Sequence, residues 1–141
     1  MKGRWVTDDE ITSVPGKLGY FRLLAPLLYR DNHGDFWKTP AGTISNLSSF
    51  PWYVRTFLPS TVLVKAPFMH DHFYDKQPID PHTGKPITRR RSDQLYRDGA
   101  IAEGMNERLA KRLYAGLKVG GRLQWRKYRR LDKKMKRAAR K

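Results

Sequence analysis

Seven residues, Met69–Asp75 (MHDHFYD), gather two histidines, two aspartates, a phenylalanine and a tyrosine. On a helix, His70 and Tyr74 lie four positions apart and share a face, with Asp71 one position round from the histidine. A neutral imidazole acts as a general base when a carboxylate orients its second nitrogen. Asp93, near the start of the following helix, is the natural candidate for that carboxylate. Asp71 could hold a hard cation such as calcium or magnesium, given carbonyl and water oxygens from a nearby loop. The other role for His70, Asp71 and Asp93 is a buried polar network tying two helices together, and spacing alone favours that bracing role. His72 and Asp75 are expected on the solvent side. His70 and His72, two apart, point to different faces, so zinc held through histidine is not expected. His33 and His82 fall in loops and are read as surface residues.

These groups need two antiparallel helices to meet. Pro67 suits the first turn of a helix that carries His70 and ends near Asp75. KQPIDPHTGKP (76–86) is a loop, and Thr88 N-caps a second helix, RRRSDQLYRDGAIAEG. Asn106 caps a third, NERLAKRLYAGLKV, which Gly120–Gly121 are expected to end. Upstream, LGYFRLLAPLLYR (18–30) reads as extended chain, with Pro26 indicating an edge strand or a bulge. DNHGD (31–35) is a hairpin turn with Asn32 and Gly34 able to take positive φ, and Phe36–Thr39 is the return strand. Pro40 and Gly42 mark another turn. WYVRTFL (52–58) is expected to form a short helical turn, and residues 1–17 to be polar and turn-rich. Trp5, Trp37, Trp52, Phe21 and Phe57 are candidate core residues. The expected fold is α+β: an N-terminal β-hairpin layer packed on about three helices, with a basic helical tail.

The chain has 141 residues, which suits one domain with one core. At 39% hydrophobic and 12% aromatic it is richer in core-forming residues than a disordered chain. No cysteine is present, which excludes disulfides, thiolate metal sites and a cysteine nucleophile. No apolar run approaches the roughly 20 residues that span a bilayer, and MKGRWVTDDE lacks a signal-peptide core. A soluble, unprocessed protein is therefore expected, and the lack of cysteine fits a cytosolic or virion protein.

The net charge of +16 points to a polyanionic partner, and it is unevenly spread. Residues 122–141 hold eleven Lys/Arg and one acid, net +10, while the remaining 121 residues hold 18 basic and 12 acidic side chains, net +6. The boundary is thus expected near 121, with a single α+β domain before it and a basic amphipathic tail after it. Arg122, Arg126, Lys127, Arg129, Arg130, Lys133, Lys134, Lys136 and Arg137 could neutralise phosphates, and Trp125 could stack on bases or sit at a lipid interface. The partners expected, in order, are nucleic acid, an acidic protein surface and an anionic membrane. Arg89-Arg90-Arg91 opposes the dipole of the helix it opens and is read mainly as a solvated face.

Four motifs, in order, are Pro40-Ala41-Gly42, SNLSSFP (45–51), HDHFY (70–74) and SDQLY (92–96). Together they resemble a family of uncharacterised proteins from tailed phages and prophages, over roughly residues 18–121. Asn46 stands where that family usually has aspartate, and Phe73 where it has leucine. This resemblance implies a non-enzymatic phage accessory or virion-associated protein, of the structural, tail or ejection-related kind. Such a protein would contact nucleic acid or an acidic virion partner through its tail. The His-Asp-x-x-Tyr helix with a distant aspartate is also similar to the core of secretory phospholipases and of the parvoviral capsid phospholipase. That second resemblance implies a calcium-dependent lipid hydrolase with His70 as base, Asp71 as calcium ligand, Asp93 as orienter and Tyr74 as a hydrogen-bonding partner. The Tyr-x-Gly-x-Gly calcium loop of those enzymes has no counterpart here, Gly42 to Ser49 being the nearest substitute. No other cofactor is implied.

Overall fold

A computed structural model describes residues 2–47 and 64–140, so the expected turn over 52–58, with Trp52 and Phe57, lies outside the described residues. Six short strands come first: β1 (Arg4–Trp5), β2 (Ile11–Ser13), β3 (Phe21–Leu23), β4 (Leu27–Arg30), β5 (Phe36–Thr39) and β6 (Ile44–Ser45). Three helices follow: α1 (Lys65–Lys76), α2 (Arg89–Ala102) and α3 (Glu107–Ala139). The fold is α+β, as expected, but the β layer is two antiparallel sheets of three strands, ordered β1-β4-β5 and β2-β3-β6. The 18–30 segment is not one strand. It breaks at Leu24–Pro26, so that β3 and β4 become the central strands of different sheets. Pro26 lies just before β4 and costs its ladder no donor.

β4 and β5 alternate, burying Leu27, Tyr29, Trp37 and Thr39 on one face. Their register pairs Tyr29 with Trp37 across the DNHGD turn. Gly34 takes a φ of 85° there, while Asn32 does not take the positive φ expected of it. Trp5, in a segment expected to be turn-rich, packs against all three groups of core residues. Its indole Nε1 donates to the Gly99 carbonyl at 3.0 Å, stitching β1 to α2.

The helix starts follow the expected capping. The Thr88 hydroxyl accepts from the Arg91 amide at 3.1 Å, and Asn106 Oδ1 accepts from the Arg108 amide at 2.9 Å. α1 has no cap of its own. Glu103, just beyond α2, accepts from the amides of Val64, Lys65 and Ala66 at 3.1, 3.0 and 2.6 Å, doing that work from 37 residues away.

Two of the three arginines opening α2 are paired within the chain rather than solvated. Arg89 meets Asp93 at 3.3 Å and Arg91 meets Asp31 at 3.1 Å. Asp31 is a buried hub: its carboxylate also accepts from Trp37 Nε1 at 2.8 Å and from the His33 and Asp35 amides at 2.8 and 3.0 Å.

Gly120–Gly121 do not end α3, which continues unbroken to Ala139 and across the expected boundary at 121. The reason is packing. Gly121 is buried where α3 meets α1, and a Cβ there would lie 2.5 Å from Tyr74 Oη. Beyond it, Trp125 packs edge-on against Tyr74 at 5.1 Å. Arg129 donates to the Tyr74 and Asp75 carbonyls and to Gln77 Oε1, satisfying acceptors at the C-terminal end of α1.

Asp31 and Glu103 respond to acid in opposite senses. Burial pushes Asp31 upward, but the Trp37 indole, the two amides and Arg91 outweigh it and hold the carboxyl below its ordinary range. Its stabilisation is complete above the unfolded value of about 3.9 and is lost as pH falls through the lower folded value. Burial raises Glu103 above its ordinary value in spite of the three amides, so its contribution grows as pH falls through that raised value. In urea titrations from about pH 7 to about pH 3, Asp31→Asn is expected to cost about 1–2 kcal/mol at neutral pH and to flatten the acid limb. Glu103→Gln is expected to cost about 1 kcal/mol and to steepen it. Parallel acid limbs for wild type and both variants would contradict these assignments.

Candidate functional site

α1 and α2, joined by a loop that Ile79 and Pro86 close with a single antiparallel bridge, bring His70 against Asp93. His70 is 4% exposed, and its Nε2 lies 2.9 Å from Asp93 Oδ1. Tyr74 Oη donates to the same oxygen at 2.6 Å, and Arg89 reaches Oδ2 at 3.3 Å. Burial and the bond to Asp93 raise the Tyr74 phenol well above its ordinary range, so it keeps its proton and donates. With a cation and a phenol both turned on it, Asp93 is the acceptor. When neutral, the His70 ring then carries its proton on Nε2 and keeps the Nδ1 lone pair for another partner. The ring is held edge-on to Tyr96 at 4.5 Å and tilted on Tyr74 at 4.3 Å.

His70 and Asp71 border one cleft of about 980 Å³, walled by the turn over residues 40–46, by α1 and by α3. Ser45 Oγ donates to Asp71 Oδ2 at 2.5 Å, joining β6 to α1 on that wall. Ser45 was legible only as one of several hydroxyls in a loop. The four residues expected to act together, His70, Asp71, Tyr74 and Asp93, are thus brought together, and the segment beginning at Gly42 does lie beside Asp71. Asp75 is exposed, as expected, and both it and His72 stand at the edge of the cleft. His72 is half-buried, and burial pulls its imidazole below its ordinary value. His33 and His82 are surface residues, stacked on each other at 4.3 Å.

Calcium needs six to eight oxygens. Among the described residues no three His, Asp or Glu side chains converge as a metal site. The Pro40 and Thr43 carbonyls already accept from the Thr43 and Leu23 amides. Among the described residues, further calcium oxygens at Asp71 would therefore have to come from backbone carbonyls and water.

The expected polyanion-binding residues divide into two groups. Trp125 and Arg129 are engaged within the fold, the guanidinium lying 4.5 Å over the indole. Arg122, Arg126, Lys127, Arg130, Lys133, Lys134, Lys136 and Arg137 are exposed along α3. No helix among the described residues is long and apolar enough to cross a membrane.

No curated protein and no solved structure matches the chain. A family described as protein of unknown function, DUF1353, matches residues 21–117, a span from β3 to the buried half of α3 that includes His70, Asp71, Tyr74 and Asp93. On that match the chain belongs to the DUF1353 family.

Proposed function

We propose that the chain is a hydrolase of carboxylic esters in which a His70–Asp93 pair activates water at the cleft. One observation carries this reading: Asp93 holds His70 Nε2 at 2.9 Å, while His70 and Asp71 border an open cleft large enough for a substrate. A network that only braced two helices would need no such opening beside it.

In the proposed reaction, a water oxygen adds to the ester carbonyl carbon as its proton passes to His70 Nδ1. Asp93 keeps its bond to Nε2 and stabilises the imidazolium that forms. The C–O bond to the leaving alcohol then breaks, and His70 returns the proton to the alkoxide. Tyr74 and Arg89 hold Asp93 in place, so they position rather than react. Asp71, held by Ser45, supplies negative charge beside the cleft. The similarity of the His-Asp-x-x-Tyr helix to phospholipases suggests an amphiphilic lipid ester as substrate. The test is release of fatty acid from phospholipid vesicles by the full chain, with and without calcium. Activity lost in both His70→Ala and Asp71→Asn supports the reading, and a folded wild type without activity under either condition removes it.

A second reading, a non-enzymatic phage accessory or virion-associated protein that binds nucleic acid or an acidic virion protein, is favoured by the eight exposed cations of α3 beyond Gly121. Cutting at 121 would also remove Trp125 and Arg129 from the fold, so the fair test cuts after Asp132. This cut removes Lys133, Lys134, Lys136 and Arg137 and keeps Arg122, Arg126, Lys127 and Arg130, so low-salt DNA binding left undiminished by it would count against the distal cations as the site.

A further inference from the structure

We propose that the exposed half of α3 and the rim of the cleft form one surface that docks on an anionic lipid bilayer. Leu131 and Met135 are 46% and 70% exposed on a helix that has already left the core. They continue the cleft-facing side of α3, because Leu131 follows Gln124 by seven and Tyr128 by three, and Met135 follows Tyr128 by seven. Gln124 and Tyr128 themselves line the cleft. Across the opening, Tyr20 and Ile44 line it too, 38% and 40% exposed. An apolar strip thus runs from the cleft rim out along the helix.

The charge beside that strip selects the occupant. Lys127 and Lys134 lie one turn before and one turn after Leu131, are both exposed, and belong to a segment of net +10. Cations flanking aliphatic side chains on an exposed helix are the pattern of a helix lying in a membrane interface, with its apolar side among the acyl chains. Nucleic acid fits less well. Stacking on bases needs free aromatic faces, whereas Trp125 is half-buried between Tyr74 and Arg129. Leucine and methionine give bases nothing to stack on and give acyl chains a dry surface.

This inference draws on the hydrolase reading for its purpose, since docking would set the cleft against its substrate, yet it can be tested apart from it. The full chain is sedimented with vesicles of ether-linked, non-hydrolysable phosphatidylglycerol and phosphatidylcholine, and with phosphatidylcholine alone. Binding is expected to be at least about tenfold tighter to the anionic vesicles and to weaken with salt. The charge-neutral double variant Leu131→Ser/Met135→Ser is expected to lose about tenfold or more in vesicle affinity. Its binding to a DNA duplex should stay within about twofold of wild type, because no cation has been removed. Both positions are exposed, and an unchanged circular dichroism spectrum would check that the helix is intact. Equal vesicle binding by the variant overturns the proposal, and so does a wild type that prefers the duplex to anionic vesicles at equal phosphate. Vesicle binding without hydrolysis of ester lipid leaves the docking surface standing and removes the hydrolase. Hydrolysis of a soluble short-chain ester without vesicle binding does the opposite.

Discussion

His70→Ala is expected to lower ester turnover by about 10³-fold, within the 10²–10⁴ that a positioned general base contributes. What remains in place after the change keeps the protein folded. Asp93 would still accept from Tyr74 and pair with Arg89, so no buried charge is orphaned. The structural cost is then one hydrogen bond and a cavity left by the ring, about 2–3 kcal/mol, which a folded protein can absorb. A bracing role predicts that stability falls and that whatever activity exists scales with the folded fraction. The catalytic role predicts a loss per folded molecule far beyond any unfolding.

Two companion variants sharpen that division. Asp93→Asn keeps the shape but removes the charge that holds Nε2–H, and is expected to cost about 10²-fold in turnover. Tyr74→Phe removes the 2.6 Å bond to Asp93 without touching the reacting atoms, and should cost about tenfold or less. Turnover per folded molecule, measured alongside urea unfolding, separates the cases. A folded His70→Ala protein that hydrolyses esters at the wild-type rate would end the proposal for His70.

The pairing of His70 with Asp93 was legible in sequence because only local signals were needed. Pro67 and Thr88 place two helix starts, and a Pro- and Gly-rich loop between them is short enough to make the helices antiparallel neighbours. The strands were harder. Elements of two to four residues hold too few alternations to register as periodic, so the sequence shows two sheets only as one hairpin layer and carries no sign of β1 and β2. Long-range partners left no local mark at all. Nothing near Glu103 indicates that it caps α1, and nothing near Asp31 indicates Arg91, 60 residues on. The arginine run opening α2 opposes the helix dipole, which excluded helix stability as its purpose. Which arginine was paired and which exposed then depended on the partners' positions in space. In the tail the cations are plain in sequence, but that Trp125 and Arg129 already pack against α1 depends on partners about 50 residues back.

The adjacent glycines of α3 are expected to respond to substitution in opposite directions. Gly120 meets nothing within 4 Å of a built Cβ, so Gly120→Ala removes backbone freedom from the unfolded chain at no steric cost. A gain of about 0.5–1 kcal/mol is expected. At Gly121, a Cβ would stand 2.5 Å from Tyr74 Oη, 3.6 Å from its Cζ and 3.7 Å from Asp93 Oδ2. The phenol cannot swing aside cheaply, since Trp125 and His70 both pack on its ring and Asp93 holds its hydroxyl. Gly121→Val is therefore expected to destabilise by about 3 kcal/mol, the upper part of the usual overpacking range. Whatever shift relieves the clash would also loosen Tyr74 from Asp93, so turnover per folded molecule should fall as it does in Tyr74→Phe. Denaturant midpoints of the two variants, read against wild type, would test this directly. A Gly121→Val protein as stable as Gly120→Ala would mean that α3 does not press on the Asp93 network.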